Sequence, residues 1–538
     1  MLPPEAVAVA AGILAHQLIF IHGEWHLKGP RVVVLHIAIA TSLYSASLFL
    51  CPDSRKNNVN RVTYSVICYY LSLPSSIGVY RIFFHRLKQF PGPKLAALTK
   101  LWHVWKCRDS RGHLVLQSWY EQYGEFVRTG PGEITIFHSE AYEAMDGVQN
   151  RNTRSDWYDL LHPRMSSIFT RDKNLHNERR KMWEQPLSTK SLQQYHRRVI
   201  EKVHTLENFI SAEDSKPVLV NDLMYFFAFD SMGDFAFSED FGMMRTKQWH
   251  TSIAMLRSAL TLLGPFSPAI WIPRLAFAFI PGVWKVRHWF HMLELCDECM
   301  ARRMKEVLSD RDIASWFIED HEKHESDPTW ARWLSGDTAT LVVAGRCVPL
   351  HPLKKDSSDS RSSDTTAPSL THLFYFLARY PNHAQKIHKE LQEINIEEIA
   401  LLSTLPHLNG TINEAMRLLP AVLTFSSRVT PPEGLMIDGM FIPANTKICA
   451  PRYTIGRRTH PIPFPSHCTK AQADKTQAYE LCWASFGTRT DPSCLCFFGI
   501  EVSGEICARR RGWEAVERNM RDQLTAQPGA CWVVFERR

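Results

Sequence analysis

Three consecutive pieces decide how this chain folds: ATLVVAGR (339–346), CVPLHPLKKDSSDSRSS (347–363) and DTTAPSLTHLFYFLARYP (364–381). The third carries a helical stripe, with Leu370, Leu373, Phe374 and Leu377 recurring at i, i+3, i+4 and i+7. The first supplies Leu341 and Val342. With Cys347–Ser363 set aside, Val342 stands 11, 14, 15 and 18 positions before those four, near whole turns of a 3.6-residue helix. The outer pieces therefore read as two halves of one buried helix. The middle piece interrupts it. Pro349 and Pro352 each remove a backbone donor and clash with the preceding turn. The Ser-, Asp- and Lys-rich run that follows has almost nothing apolar to bury and reads as disordered. Joined, the halves place Ala344-Gly345 before Arg346, Asp364, Thr365 and Thr366. Glycine in mid-helix costs about 1 kcal/mol, and threonine can bond back to helix carbonyls, so this composition is unusual there. On these residues alone, a polar loop between two core helices is an equal reading.

Downstream, LPHLNGTINEAMRLLPAV (405–422) sets Glu414 and Arg417 three apart on a helix, placed for a charge-assisted pair among apolar neighbours. A partly buried pair of this kind calls for a third partner, and an ordinary surface pair is the competing reading. Residues 421–456 switch to strand signals, punctuated by Pro431-Pro432, Gly434, Gly439 and Pro443. Upstream, His176 and Arg180 lie one turn apart on one helix face, where they could hold a buried anionic group or form a solvated basic face. A strand pair is expected in Phe126–Phe137, around Pro131-Gly132. Between 110 and 330 helical patterns dominate. The body is thus mainly α with a small β-sheet region.

The body begins at Phe90-Pro91-Gly92-Pro93-Lys94, a stiff non-helical elbow. Before it come apolar runs at 5–22, 32–50 and 62–84, the last broken by Pro74. Residues 32–50 are long enough to span a bilayer. No small-residue cleavage site follows a basic leader, so these runs read as an anchor of transmembrane helices. Arg81, Arg86 and Lys88 after the last run place the body in the cytosol. Arg55, Lys56 and Arg61 would fall on the opposite side if all three runs span.

The chain has 538 residues, 45% of them hydrophobic, a net charge of +7, 13 cysteines and 24 histidines. That length supports one large enzyme domain plus an anchor. The mild positive charge fits an anionic membrane face or acidic partner better than nucleic acid. The cysteines lie scattered without a regular framework, which argues against a disulfide scaffold and for a reduced, cytosolic setting. Nucleotide-binding glycine loops, HExxH and GxSxG are missing.

Taken in order, the anchor, the Pro-Gly-Pro elbow, HxxxR, AGx followed by DTT on a long helix, ExxR, and the strand region with PPEGLMIDGMFIP resemble the membrane-bound fungal cytochromes P450, the haem-thiolate monooxygenases. The resemblance covers Phe90–Gly456. It implies the cytochrome P450 fold, with an anchor over 1–89, a catalytic domain over 90–456 and an insertion at 347–363. By the same resemblance Ala344 and Gly345 leave room for dioxygen over the haem, and Asp364 and Thr365 relay protons for O–O cleavage. His176, Arg180 and Arg428 match positions that pair with haem propionates. Glu414 and Arg417 match the structural pair near the proximal side. Implied with these are a thiolate-ligated haem, electrons from NADPH through a cytochrome P450 reductase docking on a basic face, a lipophilic substrate, and residence in the endoplasmic reticulum membrane. Oxidation of an alkaloid or terpenoid secondary metabolite follows from the fungal likeness alone.

After Gly456 the chain departs from that pattern. The family's PERF-like stretch and FxxGxRxCxG loop have no match, and 457–538 diverges. The nearest echo is Phe486-Gly487-Thr488-Arg489 before Cys494, the leading candidate for the iron ligand, with Cys482 and Cys496 behind it. A haem-free pseudoenzyme, or the product of a decayed or mis-spliced gene, is the rival reading. AGR|C can be read as a splice donor and the serines before DTT as an acceptor, and a frame change soon after Gly456 would remove the C-terminal motifs. A multispan membrane protein with a binding role is a more distant alternative.

Overall fold

The computed structural model describes residues 3–49, 55–147, 150–186, 188–306, 310–324, 326–343, 363–392, 394, 399–402, 404–424, 427–458, 500–502 and 514–537. It is mainly helical, with small sheets at its edges. The helix Pro328–Val343 carries Leu341 and Val342, and the helix Ser363–Arg379 carries Leu370, Leu373, Phe374 and Leu377. All six side chains are buried in one core cluster, and the two helices touch. The shared apolar phase therefore has its physical cause: both halves pack into the same interior. Next to the second half runs Val220–Phe237, whose apolar residues fall on every side. Such a helix is stable only when surrounded, and nearly all of it is buried.

The expected hairpin forms between Phe126–Gly130 and Glu133–Ile136. It is the edge of a five-stranded sheet continued by Lys447–Cys449, Ser427–Val429 and Thr153–Arg154. Residues 421–456 supply three-residue strands at 427–429, 435–437, 440–442 and 447–449, then turn into the helix Arg452–Arg458. The C-terminal residues return to the core. Trp532–Arg537 pairs with Pro217–Leu219 and with Ile500–Val502. Val516, Met520, Ala526, Val533 and Phe535 are buried in the main cluster.

At the other end three apolar helices stand together. Pro4–Leu14 continues as a π-helical turn to Phe20, Gly29–Phe49 follows, and Arg55–Val79 continues to Phe84. Two of them, Gly29–Phe49 and Asn57–Phe84, are long and apolar enough to cross a membrane. None of the Gly29–Phe49 side chains is buried. Pro74 does not break the third helix, contrary to the expectation. A proline that frees one carbonyl is tolerated where neighbouring side chains satisfy the segment, and His16 bonds Ser76 at 2.8 Å just beyond it. His36–Tyr69 at 3.0 Å and Tyr44–Thr63 at 3.1 Å set the second and third helices antiparallel, so the Arg55 end points away from the body.

The loop after the first helix is fastened to the body. Glu24 accepts both Nη1 and Nη2 of Arg171, at 2.5 and 2.8 Å, and His26 meets Asp159 at 2.7 Å. Arg171 also donates to the Arg154 carbonyl at 3.0 Å, one step from the site described next.

Candidate functional site

His176 and Arg180 lie on the helix Lys173–Glu184, which starts at an Asp172 cap that accepts from the Asn174 and Leu175 N–H groups. His176 Nδ1 meets the Ser167 carbonyl at 2.6 Å, while Arg180 pairs with Glu184 at 3.2 Å. The Ser167 carbonyl also accepts Arg154 Nη1, at 2.9 Å. Arg154 stands directly opposite Arg428 in the antiparallel strand pair. Both guanidiniums flank the Tyr158 ring, 5.2 and 5.6 Å from its centre.

Arginines facing one another across a sheet repel. Part of that charge is met by Asp146, which takes Arg428 Nη2 at 2.6 Å. Burial, followed by the charges of Arg154, Arg180 and Arg428, pushes the His176 imidazole down to about 4, so it is neutral at physiological pH. Two carboxylates of a haem suit this concentration of donors, and the residues present fit that end of the group. Arg154 was not foreseen, because it lies in a polar, aperiodic stretch whose strand pairing spans 274 positions.

Glu414 and Arg417, three apart on the helix Pro406–Leu418, bond to each other. Arg417 Nε and Nη2 grip both Glu414 oxygens at 2.7 and 2.5 Å, and Nη1 donates to the Gly456 carbonyl. That carbonyl is the third partner the half-buried pair required. Gly456 itself must be bare, since a Cβ there would sit 2.5 Å from the Arg417 carbonyl oxygen.

Asp364 and Thr365 occupy the first turn of the helix Ser363–Arg379, and Thr365 is buried. Pro368 in the same helix has no N–H to give the carbonyl four residues back. Ser369 donates its hydroxyl to the Thr365 carbonyl at 2.8 Å. The helix ladder is thus altered beside Thr365. The Asp364 side chain, Ala344, Gly345, Cys482, Cys494, Cys496 and the 347–362 part of the insertion lie outside the described residues. Among the described cysteines, burial pushes Cys107, Cys449 and Cys531 up to about 12 and Cys299 up to about 11, and raises Cys296 as well. None of these five is suited to supply a thiolate.

A network that spacing did not reveal ties the two walls together. Arg179, 5% exposed, donates Nε to Asp337 at 2.6 Å and also pairs with Asp320. Asp337 further accepts Trp183 Nε1 at 3.2 Å and the Ser167 N–H at 3.1 Å. Burial works against the Arg179 charge, but the two carboxylates outweigh it and hold its pKa above the usual range. The only sequence signal is that Arg179 and Trp183 are four apart on one face. Gly336 allows the approach, because a Cβ there would lie 2.0 Å from the Met165 carbonyl oxygen. Among the described residues two groupings have metal-ligand side chains, Glu24–His26–Asp159 and Glu125–His138–Asp438. Arg171 occupies the first and Arg458 pairs with Glu125 in the second, so both read as ion-pair clusters.

Comparison with known proteins sets this geometry in context. A family model described as "Cytochrome P450" matches residues 91–344 and 361–465. Cytochrome P450 monooxygenase notG' of Aspergillus versicolor is 32% identical over 459 residues, covering 83% of this chain and 79% of that protein. Cytochrome P450 monooxygenase nodW of Hypoxylon pulicicidum is 31% identical over 466 residues, covering 84% and 80%. Tryprostatin B 6-hydroxylase of Neosartorya fischeri is 29% identical over 465 residues, covering 84% and 81%. Among solved structures, the cytochrome P450DA heme domain superposes with a TM-score of 0.59 at 13% identity, covering 80% of this chain and 94% of that one.

Proposed function

Because the chain belongs to the cytochrome P450 family, we propose that it is a membrane-anchored haem monooxygenase that inserts one oxygen atom of dioxygen into a lipophilic small molecule of fungal secondary metabolism. The observation that carries this is the meeting of His176, Arg154 and Arg428 around the Ser167 carbonyl and Tyr158 ring. In this reading they hold the haem carboxylates, with Arg180 at the same helix face. Cys494 is the thiolate ligand, and the bound haem supplies the oxygen-activating chemistry.

The remaining roles belong to the chain's own side chains. Thr365 and Asp364 pass protons inward from the altered first turn of their helix. Ala344 and Gly345 leave space. The Glu414–Arg417–Gly456 clamp holds the proximal side rigid. Exposed Lys173 and Lys181 offer basic charge for an acidic NADPH–cytochrome P450 reductase. The unburied apolar helices Gly29–Phe49 and Asn57–Phe84 anchor the protein in the endoplasmic reticulum membrane with the body in the cytosol. An alkaloid or terpenoid skeleton is the favoured substrate class, by analogy with the named relatives. Incubating membranes that hold the full chain and a reductase with NADPH and isotopically heavy dioxygen tests the reaction. One heavy oxygen atom per product supports it, and NADPH-independent or oxygen-independent turnover contradicts it.

One observation favours a second reading, a haem-free or mis-spliced product. The family match skips 345–360. The match also stops at 465, whereas 514–537 packs into the core. A retained intron at 347–363 accounts for the first gap, and a frame change soon after Gly456 for the loss of the match beyond 465. A mature transcript that still encodes 347–363 eliminates the intron.

A further inference from the structure

The point where the third membrane helix enters the body gathers three arginines. Arg81, in the last turn of that helix, donates Nη1 to the Leu98 carbonyl at 2.9 Å. Arg86, exposed, donates Nη2 to the Asn445 carbonyl at 2.9 Å. Arg128, on the first strand and 3% exposed, donates Nη2 to the Pro131 carbonyl at 2.7 Å, and its buried Nε finds no acceptor among the described residues. The pieces that carry them are packed together. Residues 94–98 touch both the end of the membrane helix and the first strand, and Arg128 N–H bonds the Pro91 carbonyl of the elbow at 2.7 Å.

Among the described residues each guanidinium has a backbone carbonyl and none has a carboxylate. A buried cation without a counter-charge is expensive, and three near one another compound the expense. His85 sits among them. Burial and then the charges of Arg128, Arg86 and Arg81 push its imidazole down to about 4, so it adds no positive charge at neutral pH and no acid offsets theirs. Burial, with Arg81 behind it, also lowers Arg128 to about 10. The level in the membrane is marked by the sequence itself. Ile82, Phe83 and Phe84 are 37, 61 and 70% exposed apolar residues, set between Arg81 and Arg86. Apolar side chains followed by Arg place this point at the boundary between acyl chains and headgroups.

We propose that Arg81, Arg86 and Arg128 form a binding site for the phosphate of an anionic phospholipid headgroup. A phosphate offers several acceptor oxygens, which suit the fork of a guanidinium better than a point charge. The lipid would neutralise the buried Arg128 and seat the elbow Phe90–Lys94 at a fixed height on the bilayer. The site depends on the third helix crossing the membrane and is independent of the haem.

The test uses the full-length protein in phosphatidylcholine nanodiscs doped with photo-crosslinkable phosphatidic acid. Captured lipid per protein is the readout. Wild type should capture about tenfold more phosphatidic acid than an equally doped photo-crosslinkable phosphatidylcholine, and Arg128→Gln and Arg86→Gln should each remove most of that preference. Lys88→Gln, exposed and outside the cluster, should retain it. Arg86 is at the surface, so its variant answers the question even if Arg128→Gln fails to fold. Equal capture of the two lipids, an equal loss in Lys88→Gln, or full displacement by inorganic phosphate would each overturn the proposal, the last by showing a free-anion site. Alkaline extraction of the same membranes separately checks that the anchor is integral.

Discussion

Arg179 and Asp337 form a buried ion pair, 2.6 Å from Nε to Oδ2, across 158 positions of sequence. It joins the helix that presents His176 to the helix that ends at Val343. Asp337 also holds the Ser167 N–H, and the Ser167 carbonyl holds His176 and Arg154. The ion pair therefore positions the His176–Arg154 cluster without belonging to it.

Replacing one partner of such a pair strands the other. Asp337→Asn should destabilise the protein by about 3 kcal/mol in chemical denaturation, at the lower end for buried pairs because Asp320 still faces Arg179. The same variant should weaken haem retention. Unchanged stability would show that the pair adds little.

Gly456→Ala tests the proximal clamp. The added methyl meets a backbone oxygen at 2.5 Å, which cannot rotate away. A loss of about 1–3 kcal/mol is expected from a shift of this size, read as a lower midpoint in a urea titration. A wild-type midpoint would mean that the Arg452–Arg458 helix moves freely on Arg417.

His113 gives a pH-dependent prediction. Its ring is fully buried against Tyr453, 4.8 Å between ring centres, and neither nitrogen has a partner among the described residues. Burial and then Arg457, Arg111 and Arg521 push it down to about 3 from an ordinary value of 6.5. Between those values the unfolded chain takes up a proton that the folded chain refuses, so stability falls as the pH drops through the window. His113→Phe should flatten this acid loss and raise stability at pH 7 by about 1 kcal/mol, since no polar nitrogen is then left unsatisfied. Thermal melts from pH 7 to 4 measure it, and an unchanged slope would refute it.

These residues also show what could be read in advance. The paired half-helices, the hairpin at 126–136 and the Glu414–Arg417 grip are local, and periodicity or short spacing reveals them. His176 and Arg428 were legible only through the ordered motifs of a family. Arg154, Arg179, Asp337 and the Glu24–Arg171 tie owe their roles to partners more than a hundred residues away, or to strand register, and no local pattern encodes that. Pro74 misled because a proline in a soluble helix and one in an apolar bundle meet different constraints.

Deleting residues 347–363 joins Arg346 directly to Asp364. The join sets Leu370 eleven positions after Val342, which restores the helical phase between the two halves. The deletion variant should bind more haem per protein and convert a larger fraction of consumed NADPH into product than the full chain does. Equal haem content and equal coupling would show that the insertion is accommodated without effect.

The most direct test of the central claim is the carbon monoxide difference spectrum of the reduced, full-length protein supplied with haem during expression. A thiolate-ligated haem gives a Soret band at its characteristic position, and Cys494→Ala should lose it. A folded protein without that band, or a band that survives in Cys494→Ala, would contradict the claim.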